Sequence, residues 1–209
     1  MNDLAARAGG DHLLVLDAGV APLSSDWIDT LLESSQQEQV GAVGGLVLRA
    51  DAAIDSAGLV LGCAGLYAHA FRGEPHWTRG HLSNILDVRN CSAVSGACLM
   101  TRRSVFEQVG GFDERLGAGL WEVDYGLRLR RAGFRTVITP HARICRSGRE
   151  PSTPEPSPAD INYLRTTWGS LLDSDPYYNP HFDRRAATFR LPPHRTRHGA
   201  LPHLSTARS

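Results

Sequence analysis

The sequence contains no lysine, and all 22 of its basic residues are arginine. A P-loop needs a lysine to reach the phosphates, and a Schiff-base enzyme needs a lysine amine as its nucleophile, so both classes are excluded. The 22 acidic residues balance the arginines, so no net basic field attracts nucleic acid and we expect no nucleic-acid partner. The longest uncharged apolar stretch, residues 57–68, is shorter than the roughly 20 residues of a membrane helix, so no spanning segment is predicted.

Cysteine is also scarce. The four cysteines form no C-x-x-C pair, and no secretory signal is recognisable at the start of the sequence. These two observations predict a reduced, cytoplasmic setting. Hydrophobic residues make up 42% of the chain, which is enough to bury one ordinary globular core.

Short apolar runs alternate with amphipathic segments, which predicts an α/β fold with a mixed sheet flanked by helices. Residues 13–16 are expected to form a buried strand that carries Asp17 at its carboxyl edge, and residues 65–86 a long surface excursion. Ser24 or Ser25 is expected to cap the first confident helix. Strands are predicted at 13–16, 40–48, 58–61, 97–100 and 135–139, with Pro140 ending the last, and helices at 26–32, 103–109, 121–132 and from 158 onward.

The chain divides into four predicted parts. Residues 1–148 form the α/β core, and the proline-rich residues 149–158 form an extended linker. Residues 159–180 hold a C-terminal helix that docks on the core, followed by the segment DPYYNP. Residues 181–209 are rich in arginine and poor in apolar residues, so a basic, disordered tail is predicted.

Three acidic residues are candidates for chemistry. Asp17 at a strand end can hold a divalent metal and, through it, a diphosphate, or it can simply cap the following turn. Glu122 and Asp124 begin a helix, where the helix dipole stabilises carboxylates without any catalytic role. Because residues two apart point to different faces, one of this pair would be a general base while the other holds neighbouring groups.

Small residues precede the predicted strand at 97–100. Ser95, Gly96 and Ala97 allow a ligand to approach the backbone closely, although a plain tight turn has the same composition. His69 and two further histidines show no metal-ligand spacing, so we expect surface positions for them.

Taken together, these segments resemble the family-two glycosyltransferases of the glycosyltransferase-A fold, in particular the bacterial enzymes of O-antigen and rhamnan assembly. The order and separation of the segments carry the resemblance, and it covers most of residues 1–180. The matching segments are LLVLDAGVAPLSSDWIDTLLE, VGAVGGLVLRADAAIDSAGLVLG, RNCSAVSGACLMTRRSVFEQVGGFDERL, WEVDYGLRLRRAGFRTVITPHARI and DSDPYYNP.

The resemblance implies inverting transfer of a sugar from a nucleotide-diphosphate donor to a saccharide or lipid-linked acceptor. Mn or Mg would stabilise the leaving diphosphate, with Asp17 as the first acid of the Asp-x-Asp metal motif. The Ser95-Gly96-Ala97 turn and Trp121 would line the donor and acceptor cleft. Glu122 falls on the position of the catalytic base, and Asp124 matches the acid that follows it in many members.

The chain departs from the family at the metal site. Gly19 stands where the motif has its second Asp, and Arg146 stands where many relatives have a histidine ligand. A guanidinium at this place can neutralise phosphate charge in place of a metal. A catalytically inactive, glycosyltransferase-like binding or scaffold protein is the alternative function.

The family's early nucleotide-binding strands have no counterpart before residue 13. An N-terminally truncated sheet with a half-built nucleotide pocket is therefore expected, and it would leave one strand edge uncovered. A separate nucleotide-binding half or a second copy of the chain would be the partner at that edge. The acceptor implied by the resemblance places the protein in the cytoplasm, peripheral to the inner face of the membrane.

Overall fold

The computed structural model describes residues 1–117, 119–147 and 156–193. Within these ranges the strands are β1 (His12–Leu16), β2 (Val20–Pro22), β3 (Val40–Arg49), β4 (Ile54–Ser56), β5 (Leu59–Leu61), β6 (Tyr67–His69), β7 (Arg89–Cys91), β8 (Cys98–Arg102) and β9 (Arg135–Arg146). The helices are α1 (Asn2–Arg7), α2 (Trp27–Ser35), α3 (Arg103–Gln108), α4 (Leu120–Arg131) and α5 (Pro158–Trp168), with 3₁₀ turns at His81–Ser83 and Gly169–Leu172. The predicted α/β class is confirmed.

The central sheet is mixed, with strand order β1-β8-β3-β9-β2. Strands β3 and β9 run parallel at its centre, whereas β8 pairs antiparallel with both β1 and β3. Strand β9 is long enough to pair with β7 along its first half and with β2 along its second half. Strands β5 and β6 form a separate two-stranded sheet.

Helices cover both faces of the central sheet. Successive side chains along a strand point to opposite faces, so neighbouring residues of β8 pack in different clusters. Cys98 and Met100 pack in the cluster that includes Leu31 of α2. Leu99, which lies between them, packs in the larger cluster that contains the buried residues of α4. Leu164 and Trp168 of α5 belong to that larger cluster, so the C-terminal helix docks on the core as predicted.

Two local predictions were wrong at element ends. Helix α2 begins after Asp26, not after Ser24 or Ser25, because the Asp26 carbonyl accepts the first helical hydrogen bond, from the Thr30 N–H. Strand β9 continues past Pro140 to Arg146. Proline has no N–H for a ladder, and the sheet accommodates it in an irregularity where the register against β3 shifts between Gly45 and Leu46.

The strand that precedes Asp17 is not fully buried, contrary to prediction. Strand β1 lies at one end of the central sheet, and among the described residues it pairs with β8 alone. Leu14 and Leu16 are 37% and 39% exposed, because no helix of the described ranges covers this margin of the sheet. An apolar run therefore predicted the strand correctly but not its position in the sheet.

The excursion at 65–86 is less exposed than the predicted surface segment, and the start of the predicted tail is more ordered than expected. Phe71 stacks on Phe189 with ring centroids 4.9 Å apart, and both side chains are buried. Tyr178 and Ala187 pack in the same cluster. The prediction of disorder from residue 181 is therefore wrong for residues 181–193, because two phenylalanines and an alanine there complete a small core.

Residues 194–209 and residues 148–155, which include most of the predicted linker, lie outside the described residues. Within the part of the chain that the structure describes, no helix combines the length and the apolar character that a bilayer crossing requires.

Candidate active site

The carboxyl end of β1 carries Asp17 to the wall of an open cleft of about 820 Å³. One carboxylate oxygen, Oδ1, accepts a hydrogen bond from the Gly19 N–H at 3.3 Å, so Asp17 does cap its own turn. The other, Oδ2, accepts from Arg146 Nη1 at 2.6 Å. The arginine hydrogen bond is the main reason why the pKa of Asp17 is lowered, so this side chain is an anion at neutral pH.

The turn before β8 forms a second wall of the same cleft. Ser95 Oγ accepts from the Ala97 N–H at 3.2 Å, which fixes the turn, and the Gly96 N–H donates to Glu122 Oε1 at 3.1 Å. Glycine is required at position 96, because a Cβ there would collide with the Trp121 ring. Five of the predicted binding residues therefore line one cleft: Asp17, Ser95, Gly96, Ala97 and Trp121.

Glu122 lines this cleft as well, at the N-terminus of α4. Its side chain is 8% exposed in the folded chain, and Oε2 has no hydrogen-bond partner among the described residues. Burial raises the pKa of Glu122, and the Gly96 N–H opposes that rise by stabilising the carboxylate. A buried acid that shares a cleft with Asp17 and has one unpaired oxygen is a candidate for proton transfer.

Asp124 points elsewhere, as expected for a residue two positions further along a helix. Its Oδ2 accepts from Arg128 Nε at 2.7 Å, and its Oδ1 accepts from Trp168 Nε1 at 2.9 Å. It is buried between α4 and α5 and does not line the cleft of Asp17 and Glu122. The structure therefore does not bring this predicted catalytic acid together with the other site residues.

Arg146 links Asp17 to a second buried carboxylate. Its Nε donates to Asp55 Oδ2 at 3.0 Å, and Arg72 Nη2 lies 3.4 Å from Asp55 Oδ1. We call these four side chains the ion cluster: Asp17, Asp55, Arg72 and Arg146. All four line the cleft.

Sequence reasoning missed Asp55 and Arg72. A signal for Asp55 was present, since it lies between the apolar residues Ile54 and Ala57, and a buried carboxylate needs a cationic partner. The partner itself is 91 residues away in sequence, so no local pattern identifies it.

Tyr67 is a further residue of the cleft that the sequence did not single out. Its pKa is raised to about 12, mainly by burial and further by the Glu122 charge, so it remains a neutral hydroxyl. Gly119, the residue before α4, has a φ of +84°, and any Cβ there would collide with the Tyr67 hydroxyl. His69 also lines this cleft, where it is half-buried.

The donor set does not fit the divalent metal that the family resemblance implies. Both oxygens of Asp17 are engaged, Gly19 has no side chain, and Arg146 holds the position expected for a ligand. Within the described ranges, no group of three or more His, Cys, Asp or Glu side chains is arranged to hold a metal ion.

Comparisons with known proteins agree on one family. A family model described as glycosyltransferase like family 2 matches residues 1–170. The O-antigen biosynthesis protein RfbC of Myxococcus xanthus is 34% identical over 92% of this chain and 16% of its own length. The N-acetylglucosaminyl-diphospho-decaprenol L-rhamnosyltransferase of Mycobacterium tuberculosis is 33% identical over 60% of this chain and 45% of its own length.

A solved structure shows the same fold. The crystal structure of GalNAc-T7 with UDP, GalNAc and Mn²⁺ superposes with a TM-score of 0.59 at 15% identity, covering 80% of this chain and 34% of that one. At this identity the similarity concerns the fold alone. The chain spans less than half the length of the curated relatives it matches.

Proposed function

The chain belongs to glycosyltransferase like family 2, and on this basis we propose that it transfers a sugar from a nucleotide-diphosphate donor to an acceptor hydroxyl with inversion. The observation that carries the proposal is the unpaired, buried Oε2 of Glu122 in the cleft that Asp17 shares. A general base has to reach the acceptor proton without being neutralised by a neighbouring cation.

In this mechanism Glu122 removes the proton of the acceptor hydroxyl. The acceptor oxygen attacks the anomeric carbon from the face opposite the diphosphate, a new C–O bond forms, and the bond to the diphosphate breaks. The proton stays on Glu122, and the leaving diphosphate keeps the bonding electron pair. The Gly96 N–H holds Oε1, which leaves Oε2 for the acceptor.

The environment of Glu122 suits this role. Its raised pKa makes the carboxylate a stronger base than an ordinary glutamate, which favours proton transfer from the acceptor. Asp17, the Ser95-Gly96-Ala97 turn and Trp121 form the walls that hold the substrates. Asp124 joins α4 to α5 and does not line the cleft, so the proposal gives it a structural role in place of the catalytic one expected.

A transfer assay with matched variants tests this function. Release of nucleoside diphosphate from a panel of UDP- and GDP-sugars is measured with and without a lipid-linked disaccharide acceptor. We expect acceptor-dependent release by the wild type and about 10²- to 10⁴-fold less by Glu122→Gln, the usual contribution of a general base. Asp51→Asn, an exposed change away from the cleft, is the control and should not alter the rate.

Two results would contradict the proposal. The first is a Glu122→Gln protein that folds and keeps wild-type turnover, which would remove the base assignment. The second is donor binding by the wild type without acceptor-dependent release from any sugar of the panel, as the inactive scaffold alternative requires.

We propose that the acceptor is lipid-linked and is met in the cytoplasm at the inner face of the membrane. The rhamnosyltransferase relative carries a diphospho-decaprenol acceptor in its name, and this chain exposes 70% of Trp77 and 87% of Leu82 in the excursion. Aromatic and leucine side chains of this kind insert at the lipid interface. Sedimentation with phosphatidylglycerol vesicles should fall in a Trp77→Ser, Leu82→Ser double variant, and unchanged sedimentation would contradict the proposal.

We also propose that a further strand pairs with the free edge of β1 to complete the nucleotide pocket. The support is that β1, within the described residues, pairs with β8 alone and carries the partly exposed Leu14 and Leu16. Light scattering distinguishes the two candidate partners, because a second copy predicts a dimer and a separate half predicts a monomer. Leu14→Arg places a charge beside the apolar side chains that a further strand would bring to this face, so wild-type donor affinity in that variant would contradict the proposal.

A further inference from the structure

We propose that Arg146, together with Arg72, is the resident cation of the cleft and binds the donor diphosphate directly, without a divalent metal. This inference rests on the proposed function, since it concerns the leaving group of that reaction. Its basis is the ion cluster, in which two carboxylates and two guanidinium groups meet on the cleft wall.

The first argument is the occupation of Asp17. A divalent metal binds carboxylate oxygens directly, at about 2.0–2.6 Å, so a guanidinium already hydrogen-bonded to such an oxygen competes with it. Arg146 Nη1 lies 2.6 Å from Asp17 Oδ2, and the Gly19 N–H takes Oδ1. A metal would therefore have to displace a guanidinium that a second carboxylate, Asp55, holds from the other side.

The second argument is charge. A metal site made of two carboxylates and one dication has no net charge. The ion cluster also sums to zero, because Asp17 and Asp55 contribute two negative charges and Arg72 and Arg146 two positive ones. A diphosphate entering the cleft therefore meets the same net charge as in a metal-dependent site.

The third argument is the hydrogen-bonding capacity of Arg146. A guanidinium has five N–H donors in a planar fork that matches phosphate oxygens. Asp17 and Asp55 engage Nη1 and Nε, and Nη2 donates no hydrogen bond within the described residues. The side chain lines the cleft while remaining 9% exposed, so its position is fixed before a ligand arrives.

An independent observation shows that this cleft is built for a ligand. Glu122 is more than nine-tenths buried, and its Oε2 is unpaired among the described residues in the same cleft. Buried polar atoms without partners are rare in folded proteins, and a bound substrate is one way to satisfy them.

Pyrophosphate and Mn²⁺ are the probes that test the inference. Calorimetry measures pyrophosphate binding to the full chain in EDTA and again in Mn²⁺, and electron paramagnetic resonance measures Mn²⁺ binding to the protein alone. We expect pyrophosphate to bind in EDTA without any metal, and no Mn²⁺ bound by the wild type. Pyrophosphate binding that requires Mn²⁺, or stoichiometric Mn²⁺ binding by the wild type, would overturn the inference.

Variants localise the site. Arg146→Gln should weaken pyrophosphate binding about 10- to 100-fold, the equivalent of one hydrogen bond to a charged group, whereas the exposed Arg115→Gln should not change it. Arg146→Lys keeps the charge that Asp17 and Asp55 need, and it should lose affinity because ammonium lacks the planar fork. Wild-type affinity in both Arg146 variants would overturn the inference.

A variant that gains Mn²⁺ binding tests the inference without any measurement of sugar transfer. Gly19→Asp combined with Arg146→His supplies two metal ligands beside Asp17 and should create Mn²⁺ binding that the wild type lacks. If the double variant folds and binds no more Mn²⁺ than the wild type, Arg146 is not what keeps a metal out, and the inference fails. Metal-free pyrophosphate binding without sugar transfer would contradict only the proposed function, whereas Mn²⁺-dependent transfer would contradict only this inference.

Discussion

Asp124→Asn tests whether the second acid of α4 is structural. The Asp124 carboxylate bridges two helices, because Oδ2 pairs with Arg128 at 2.7 Å and Oδ1 accepts from the Trp168 indole at 2.9 Å. Arg128 in turn donates to the carbonyls of Val109 and Gly111, which close the loop after α3. One carboxylate therefore connects α4, α5 and this loop.

The expected loss of stability in Asp124→Asn follows from the interactions that an amide at this position keeps and from those that it loses. Removing one partner of a buried ion pair costs about 3–5 kcal/mol, because the other charge is left uncompensated. Asparagine can still accept the Trp168 hydrogen bond through its carbonyl, so we expect the lower end, about 3 kcal/mol. For a chain of 209 residues this lowers Tm by about 6–12 °C.

The assay is thermal and urea unfolding followed by circular dichroism, with sugar transfer measured on the folded protein. Asp51→Asn is the control, because Asp51 forms an exposed pair with Arg49 and should leave the stability almost unchanged. Trp168→Phe removes the indole donor from Asp124 and should cost about 1–3 kcal/mol. Wild-type stability together with abolished transfer in Asp124→Asn would refute the reasoning and return Asp124 to the catalytic site.

Three further predictions concern the cleft and the segment that completes it. The raised pKa of Glu122 means that protonated Glu122 contributes stability below its ordinary pKa of 4.5 and that this contribution is lost as pH rises through the folded pKa. Glu122→Gln should thus be as stable as the wild type near about pH 4 and more stable at about pH 8 in urea unfolding. A difference in unfolding free energy that does not change with pH would be contrary evidence. Gly119→Ala should destabilise the chain by about 1–3 kcal/mol through the collision with Tyr67, and an unchanged Tm would show that the loop yields freely. Phe189→Ala removes the ring stacked on Phe71 and should cost about 3–5 kcal/mol, whereas a loss below about 1 kcal/mol would mean that the segment is not part of the core.

The sequence predicted those parts of the site that depend on short-range geometry. Asp17 follows an apolar run, and Gly96 lies in a run of small residues before a strand. Glu122 and Asp124 are two apart on a helix, which predicted correctly that they face different surroundings. Each of these features is local, so chemical type and spacing were sufficient.

Contacts between residues far apart in the sequence could not be predicted in the same way. The ion pair between Arg146 and Asp17 joins residues 129 positions apart, and only the parallel pairing of β3 and β9 and the edge position of β1 bring them together. The prediction that Pro140 ends a strand was wrong, because local propensity does not include an irregularity that accommodates the missing N–H. The burial of Phe189 was not predicted, because arginine dominates the composition of its segment. Packing there depends on a few apolar residues that the average composition does not reveal.

The central claim is that Glu122 takes the acceptor proton in the cleft, and the pH dependence of transfer tests it most directly. Measured as kcat/KM for the wild type, the rate should rise with pH through a single ionisation above 4.5, because the base must be deprotonated to act. Glu122→Gln should lose both the activity and this ionisation. A Glu122→Gln protein that retains transfer with the wild-type acidic limb would contradict the account.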